Sequence, residues 1–239
     1  YLMYILAGTT IVWGALTGTW FGQKWLHGLI EPLSPWLTVN ANVQKVCFLI
    51  GAIQLSLAHL WRGILKSPSL SAFGEFGWAA WIWGMFFLVK QLIIEEPMPV
   101  FTPGLMITGA LFVVLFSAPS RNILKTVGGG LGAFLGGFIN AFTDVISYIR
   151  LFAVGLAGVA IADAFNDIAL AVGFGNVLTS VITALILVAG HALNIVLGSM
   201  AILVHGVRLN VLEFSNHMNI QWTGFTYKPL KADTKALRH

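Results

Sequence analysis

Asp144-Val145-Ile146-Ser147-Tyr148-Ile149-Arg150-Leu151-Phe152 decides how this chain is read. It sets one arginine near the middle of an apolar run from about Leu131 to Val172. An arginine at the centre of a membrane helix costs about 2.5–3.5 kcal/mol on insertion scales, and is kept only where it faces protein or water. Arg150 is therefore expected to be functional. Arg208, in His205-Gly206-Val207-Arg208-Leu209, repeats the situation in the last apolar run. Two embedded cations call for an anion, and the expected source is another polypeptide.

The surroundings agree. The 239 residues are 57% hydrophobic and 9% charged, where soluble domains carry roughly 25% charged residues. The expected fold class is an all-α polytopic membrane protein. A net charge of +4 then records topology rather than nucleic-acid binding. The single Cys47 excludes an internal disulfide and any multi-cysteine metal site. The chain opens at Tyr1, already inside an apolar helix and without an initiator methionine. It is expected to be the C-terminal part of a longer polypeptide.

Spans of about 17–25 mostly apolar residues cross a bilayer, and six transmembrane helices are expected. The first four cover about Tyr1–Trp20, Val43–Trp61, Phe76–Ile94 and Pro103–Ser117. Gly14, Gly18 and Gly22 are expected to form a small-residue packing face on the first. Pro97 and Pro99 end the third. The last two runs, Leu131–Val172 and Asn176–Leu209, are about 63 and 51 Å long at 1.5 Å per residue, against a hydrocarbon core of about 30 Å. Only Gly173-Phe174-Gly175 separates them, and no proline interrupts either. Two long, steeply tilted helices in an antiparallel hairpin are expected. Residues 1–126 then form a scaffold of four helices, 127–214 the two ion-translocating helices, and 215–239 a cytoplasmic tail.

Cations assign the sides. Arg62, Lys66, Arg121, Lys125, Lys228, Lys231, Lys235 and Arg238 fall in loops two and four and the tail; Lys24, Lys45 and Lys90 fall on the other side. The positive-inside rule puts both the start of the chain and its C-terminus in the cytoplasm.

Stepping 100° per residue from Arg150, the residues Ala153, Ala157, Ile161 and Ala164 fall within about 60°. That smooth stripe suits a partner sliding past. Gly136, Asn140, Thr143 and Ser147 precede it and are expected to wall a hydrated vestibule, while Asp144 either lines that vestibule or pairs with a neighbouring helix. On the last helix, His191, Asn194, Gly198, His205 and Arg208 share an arc of about 100°. Such a polar stripe faces water or protein rather than lipid. Glu213 is placed to pair with Arg208, while Glu75, Glu95 and Glu96 read as solvated acids at helix ends.

These residues resemble a known family. Asp144–Phe152 looks like the Ser-Tyr-(Leu/Ile)-Arg-Leu motif of the membrane stator, subunit a or subunit I, of V-type and A-type rotary ATPases. His205–Phe214 is similar to the second motif, His-x-(Leu/Val)-Arg-Leu-x-x-x-Glu. Gly224–Leu230, Thr10–Gly14 and Gly51–Leu55 also resemble that family. Gly158 and Gly198 stand where the eukaryotic pattern has a histidine and a glutamate, so the resemblance is to the bacterial type.

The resemblance implies a non-catalytic subunit without cofactor in a bacterial or archaeal plasma membrane. Its partners would be a proteolipid ring carrying essential carboxylates, the peripheral and central stalks, and lipid, with no nucleic acid. Arg150 and Arg208 would serve translocation of H⁺ or Na⁺ coupled to ATP hydrolysis or synthesis. Asn140, Thr143, Asp144, Ser147, His191, Asn194, His205 and Glu213 are the half-channel expectations. The alternative is a self-contained secondary transporter, but the paired repeats typical of many such transporters are not seen.

Overall fold

The computed structural model describes residues 1–22, 31–117, 119, 122–220 and 223–224. Among them every regular element is helical. The helices are α1 (Leu2–Thr17), α2 (Asn40–Lys66), α3 (Ser71–Ile94), α4 (Thr102–Phe116), α5 (Ile123–Ser147), α6 (Ile149–Val172), α7 (Val177–Ala201) and α8 (Ser215–Met218). A short 3₁₀ turn, Pro35–Thr38, precedes α2. Between α7 and α8 the chain winds as π-helix over Ile202–Gly206 and Leu209–Phe214.

Four helical runs are long and apolar enough to cross a membrane: Asn40–Lys66, Ser71–Ile94, the 50-residue run Ile123–Val172 and the 42-residue run Val177–Met218. The protein is a membrane protein. α1 and α4, at 16 and 15 residues, reach about 22–24 Å and fall short of a core of about 30 Å.

α1 stops earlier than its apolar pattern suggests. Gly18 takes the left-handed conformation, φ 71°, and its N–H donates to the Gly14 carbonyl, which caps the helix as glycine does without a Cβ penalty. Gly22 also has positive φ. These glycines make a turn rather than the expected packing face.

The core sits between α2, α3 and α5. Phe48, Ala52 and Leu55 line one stripe of α2, and Ile82, Met85, Phe86 and Val89 line α3, the three-and-four spacing that aims one helix face at its neighbour. Ala141, Val145, Tyr148 and Leu209 complete the cluster. Trp81 meets Phe134 edge-on at 4.8 Å and Phe138 at 5.4 Å, so aromatic contacts fasten α5 to α3. Such pairs contribute about 0.5–1.5 kcal/mol beyond their burial. α4 closes on α3 where Gly77 and Gly109 face each other's backbone: a Cβ on Gly77 would lie 2.9 Å from the Gly109 carbonyl oxygen.

The two long runs are less enclosed. Their most apolar windows are 17% and 11% buried, against 39% in α2 and α3. They touch each other through Gly158 and Asn194, through Gly190 and Phe165, and near the turn through Thr183, whose hydroxyl donates to the Gly173 carbonyl at 2.7 Å. The Asn176 side chain accepts from the Thr179 backbone and starts α7 with a capping box.

Each run carries an irregularity that no proline explains. At Tyr148 the backbone N–H reaches Val145 O and the Leu151 N–H reaches Tyr148 O, a local tightening to three-residue bonding. The Tyr148 ring is buried against Gly51, where a Cβ would approach it to 2.6 Å. The last run departs from α geometry after Ala201. Lys24, Arg121 and the tail cations, on which the sidedness reading leans, lie outside the described residues, as do residues 225–230 of the tail resemblance.

Candidate ion-translocation site

Arg150 lies two residues past the tightened turn at Tyr148 and is half-buried. Among the described residues no carboxylate lies within ion-pair distance of it, so its charge is not neutralised by a neighbouring acid. The stripe that follows it, Ala157 and Ile161, opens into a cavity of about 300 Å³ between α6 and α7, also lined by Gly158, Asn194, Gly198 and His205. His205 Nδ1 is buried there without a partner among the described residues. His191 stands apart, edge-on to Phe21 at 5.9 Å.

Arg208 sits between the two π-helical segments. Bonding from i to i+5 winds the backbone wider than an α-helix and brings residues five apart nearly above one another. Arg208 Nε accordingly donates to Glu213 Oε1 at 3.3 Å. An α-helix would hold the two about 140° apart. The 100° projection that placed Arg208 on one stripe with His191 therefore fails beyond Ala201. Glu213 is buried while the Arg208 side chain stays 52% exposed, and Glu213 Oε2 has no partner among the described residues. Leu209, next to the arginine, is held in the core.

A second cavity, of about 500 Å³, is lined by Asn140 and Asp144 of α5 with His59, Arg62, Trp78 and His217. Asn140 and Asp144 were expected to face such a space. Thr143 is exposed, and the Ser147 hydroxyl turns back to the Thr143 carbonyl at 2.9 Å. Along this cavity runs a continuous chain of hydrogen bonds. Asp144 Oδ2 meets His217 Nε2 at 2.9 Å. His217 Nδ1 meets His59 Nε2 at 2.8 Å, and His59 Nδ1 meets Glu75 Oε2 at 2.8 Å. Glu75 Oε1 accepts from Lys66 at 2.6 Å and pairs with Arg62 at 3.0 Å. Arg62 also donates to the His217 carbonyl. Four helices thus contribute to one polar line: α2, α3, α5 and α8.

Glu75 corrects the sequence reading. It is 4% exposed, where a solvated helix-end acid was expected; burial of a carboxylate is tolerated here because three partners satisfy it. Glu96 is not a lone surface acid either, since Lys45 and Lys90 both pair with it.

No protein-family model and no solved structure matches the chain. Curated relatives do. A V-type ATP synthase subunit I from Borreliella burgdorferi is 36% identical over 249 residues, taking in 96% of this chain and 41% of the relative. The V-type ATP synthase subunit I 1 of Treponema pallidum is 34% identical over 95% of this chain and 39% of its own length. The chain is a homologue of ATP synthase subunit I. The A-type ATP synthase subunit I of Methanocaldococcus jannaschii extends the likeness to 98% of the chain at 25% identity. The chain spans about two fifths of the length of the first two relatives, 41% and 39%.

For this subunit I homologue, sequence reasoning missed His59, Arg62, Lys66, Glu75 and His217, which join Asp144 in the polar line. A signal existed for three of them: His59, Arg62 and Lys66 recur at helical spacing and place one polar stripe on the end of α2. Nothing local announces His217, which joins His59 across 158 positions.

Proposed function

We propose that this chain is the membrane part of a non-catalytic stator in a V/A-type rotary ATPase. Four long runs and the shorter α1 and α4 make six spans of a bacterial or archaeal plasma membrane, which thins locally around the short ones; α5–α6 and α7–α8 form a tilted antiparallel hairpin, and the C-terminus is cytoplasmic. The long, sparsely covered hairpin lies against a ring of proteolipid subunits, and peripheral and central stalks complete the assembly. A ring carboxylate crosses lipid only when neutral, carrying H⁺ or Na⁺, because a bare charge there is too costly. Arg150 and Arg208 present guanidinium cations to it. They favour the carboxylate as an anion and so expel its ion. Their fixed positive field also separates two offset access paths. The cavity at Asn140 and Asp144 is the wall of one, and the cavity at Asn194 and His205 is the wall of the other.

The observation that carries this reading is Arg150: a half-buried cation in a 50-residue apolar run, with no ion-pair acid among the described residues, in a homologue of subunit I. The Arg208–Glu213 contact leaves Arg208 about half exposed, so it also remains open to an outside carboxylate. The test is Arg150→Ala in the intact complex. Coupled ion transport is expected to vanish while ATP hydrolysis by the detached soluble part survives. Full coupled transport in that variant would sink the reading, and solute uptake by this chain alone would favour a secondary transporter.

A further inference from the structure

We propose that the ion carried past this chain is H⁺, and that His59 and His217 relay it between Glu75 and Asp144. The inference rests on the stator reading and adds the identity of the ion and two residues that select it.

The hydrogen-bond line itself makes the case. Three consecutive bonds, 2.8, 2.8 and 2.9 Å long, join Glu75, His59, His217 and Asp144. Both nitrogens of both imidazoles are used. A neutral imidazole offers one donor and one acceptor, and an ionised carboxylate only accepts. Each bond holds one hydrogen, so the line holds three. Two arrangements satisfy it with neutral rings. In one, Glu75 carries the acid hydrogen, each histidine is protonated on Nε2, and Asp144 is ionised. In the other, each histidine is protonated on Nδ1, Glu75 is ionised and Asp144 carries the acid hydrogen.

Passing from the first to the second breaks three bonds, Glu75 O–H, His59 Nε2–H and His217 Nε2–H. It forms three, His59 Nδ1–H, His217 Nδ1–H and Asp144 O–H. One proton has moved from Glu75 to Asp144, no heavy atom has travelled, and neither ring has had to hold a charge. The remaining charged groups on this line are Arg62 and Lys66, both on Glu75. They mark the Glu75 end of the line as its cationic end, while Asp144 at the other end lines the cavity.

A metal cation cannot be handed along this line. Hard cations bind through several oxygens, whereas the middle of this line is two imidazoles in edge contact, ring centroids 4.9 Å apart. Among the described residues no group of three His, Cys, Asp or Glu is arranged to hold a metal ion. The line is withdrawn from the outer surface and borders the cavity: the side chains of His59 and Glu75 are 4% and 5% exposed, and that of His217 is 9%.

The experiment uses the intact complex, purified on the full-length chain and reconstituted in vesicles with ATP. Internal acidification is expected in sodium-free buffer, without uptake of radiolabelled Na⁺. His217→Gln is expected to slow acidification by about 10²-fold, the contribution typical of a positioned proton-transfer group. Asp144→Asn, at the more exposed end of the line, gives the same loss if H217Q fails to assemble. Imidazole added to the medium is expected to restore part of the rate to His217→Gly and none to Arg150→Ala, a readout that a merely structural histidine does not give. Na⁺ uptake that still depends on Arg150 would overturn the proton assignment and leave the stator standing. Transport that survives Arg150→Ala would overturn the stator. Wild-type acidification in both His217→Gln and Asp144→Asn would overturn the relay alone.

Discussion

Replacing Glu75 by Gln removes the one anion that holds His59, Lys66 and Arg62 together. Its carboxylate shares a 2.8 Å hydrogen bond with His59, accepts from Lys66 at 2.6 Å and pairs with Arg62 at 3.0 Å. Breaking a buried ion pair by removing one partner costs about 3–5 kcal/mol, because the other charge is left behind. Here the Glu75 side chain is 5% exposed and that of Arg62 20%, but that of Lys66 is 38% exposed and can turn back to water. The cost therefore sits near the lower bound, about 3 kcal/mol. With about 2–4 °C per kcal/mol for a domain of this size, Tm is expected to fall by about 6–12 °C. The assay is thermal denaturation of the purified chain in detergent, followed by tryptophan fluorescence, since Trp78 stacks on His59. Glu95→Gln is the control, an exposed acid at the C-terminal end of the same helix. A Glu75→Gln shift no larger than that of Glu95→Gln would refute the reasoning.

Two further tests use neighbouring residues with opposite expected signs, and pH. Gly130→Ala puts a Cβ into the Val114 carbonyl oxygen, a backbone atom that cannot rotate away, and is expected to cost about 3 kcal/mol as overpacking. Gly136→Ala meets nothing within 4 Å and is expected to stabilise α5 by up to about 1 kcal/mol through helix propensity; the same thermal assay separates them. Lys45, then Lys90, hold the Glu96 carboxyl below the ordinary carboxylate range. Its stabilisation is therefore fully present above the unfolded carboxyl pKa of about 4.3 and is lost as pH falls through the lower folded value. Tm measured down this acid range is expected to drop less steeply in Glu96→Gln than in the parent, and identical slopes would count against the bridge.

The helices were legible because apolar runs of membrane length leave few alternatives. Their ends were less so. The pattern around Gly14, Gly18 and Gly22 reads as a packing face or as turns, and only the positive φ at Gly18 and Gly22 decides it. The apolar run was read from Leu131, and the helix in fact begins at Ile123, taking in Gly128, Gly129 and Gly130. The contact of Gly130 with α4 and of Gly137 with Trp78 stabilises the helix there through packing. Arg150, Arg208, Asn140, Asp144, Asn194 and His205 stood out as polar residues in apolar surroundings. The π-helical winding around Arg208 did not, because it leaves no periodic trace over so few residues. Glu75 was misread for a related reason: its three partners lie on α2, and burial by a neighbouring helix cannot be seen in the spacing of α3.

Tyr148 and Leu209 give the two arginines something lipid cannot. Each belongs to the tightly packed cluster of α2, α3 and α5, and each sits within two positions of a guanidinium along its own backbone. The height of these charges is consequently indexed to a rigid protein frame. A bilayer that thickens or thins would deform around the helices or tilt their free ends at a modest cost per ångström, while the cations keep their station beside the frame.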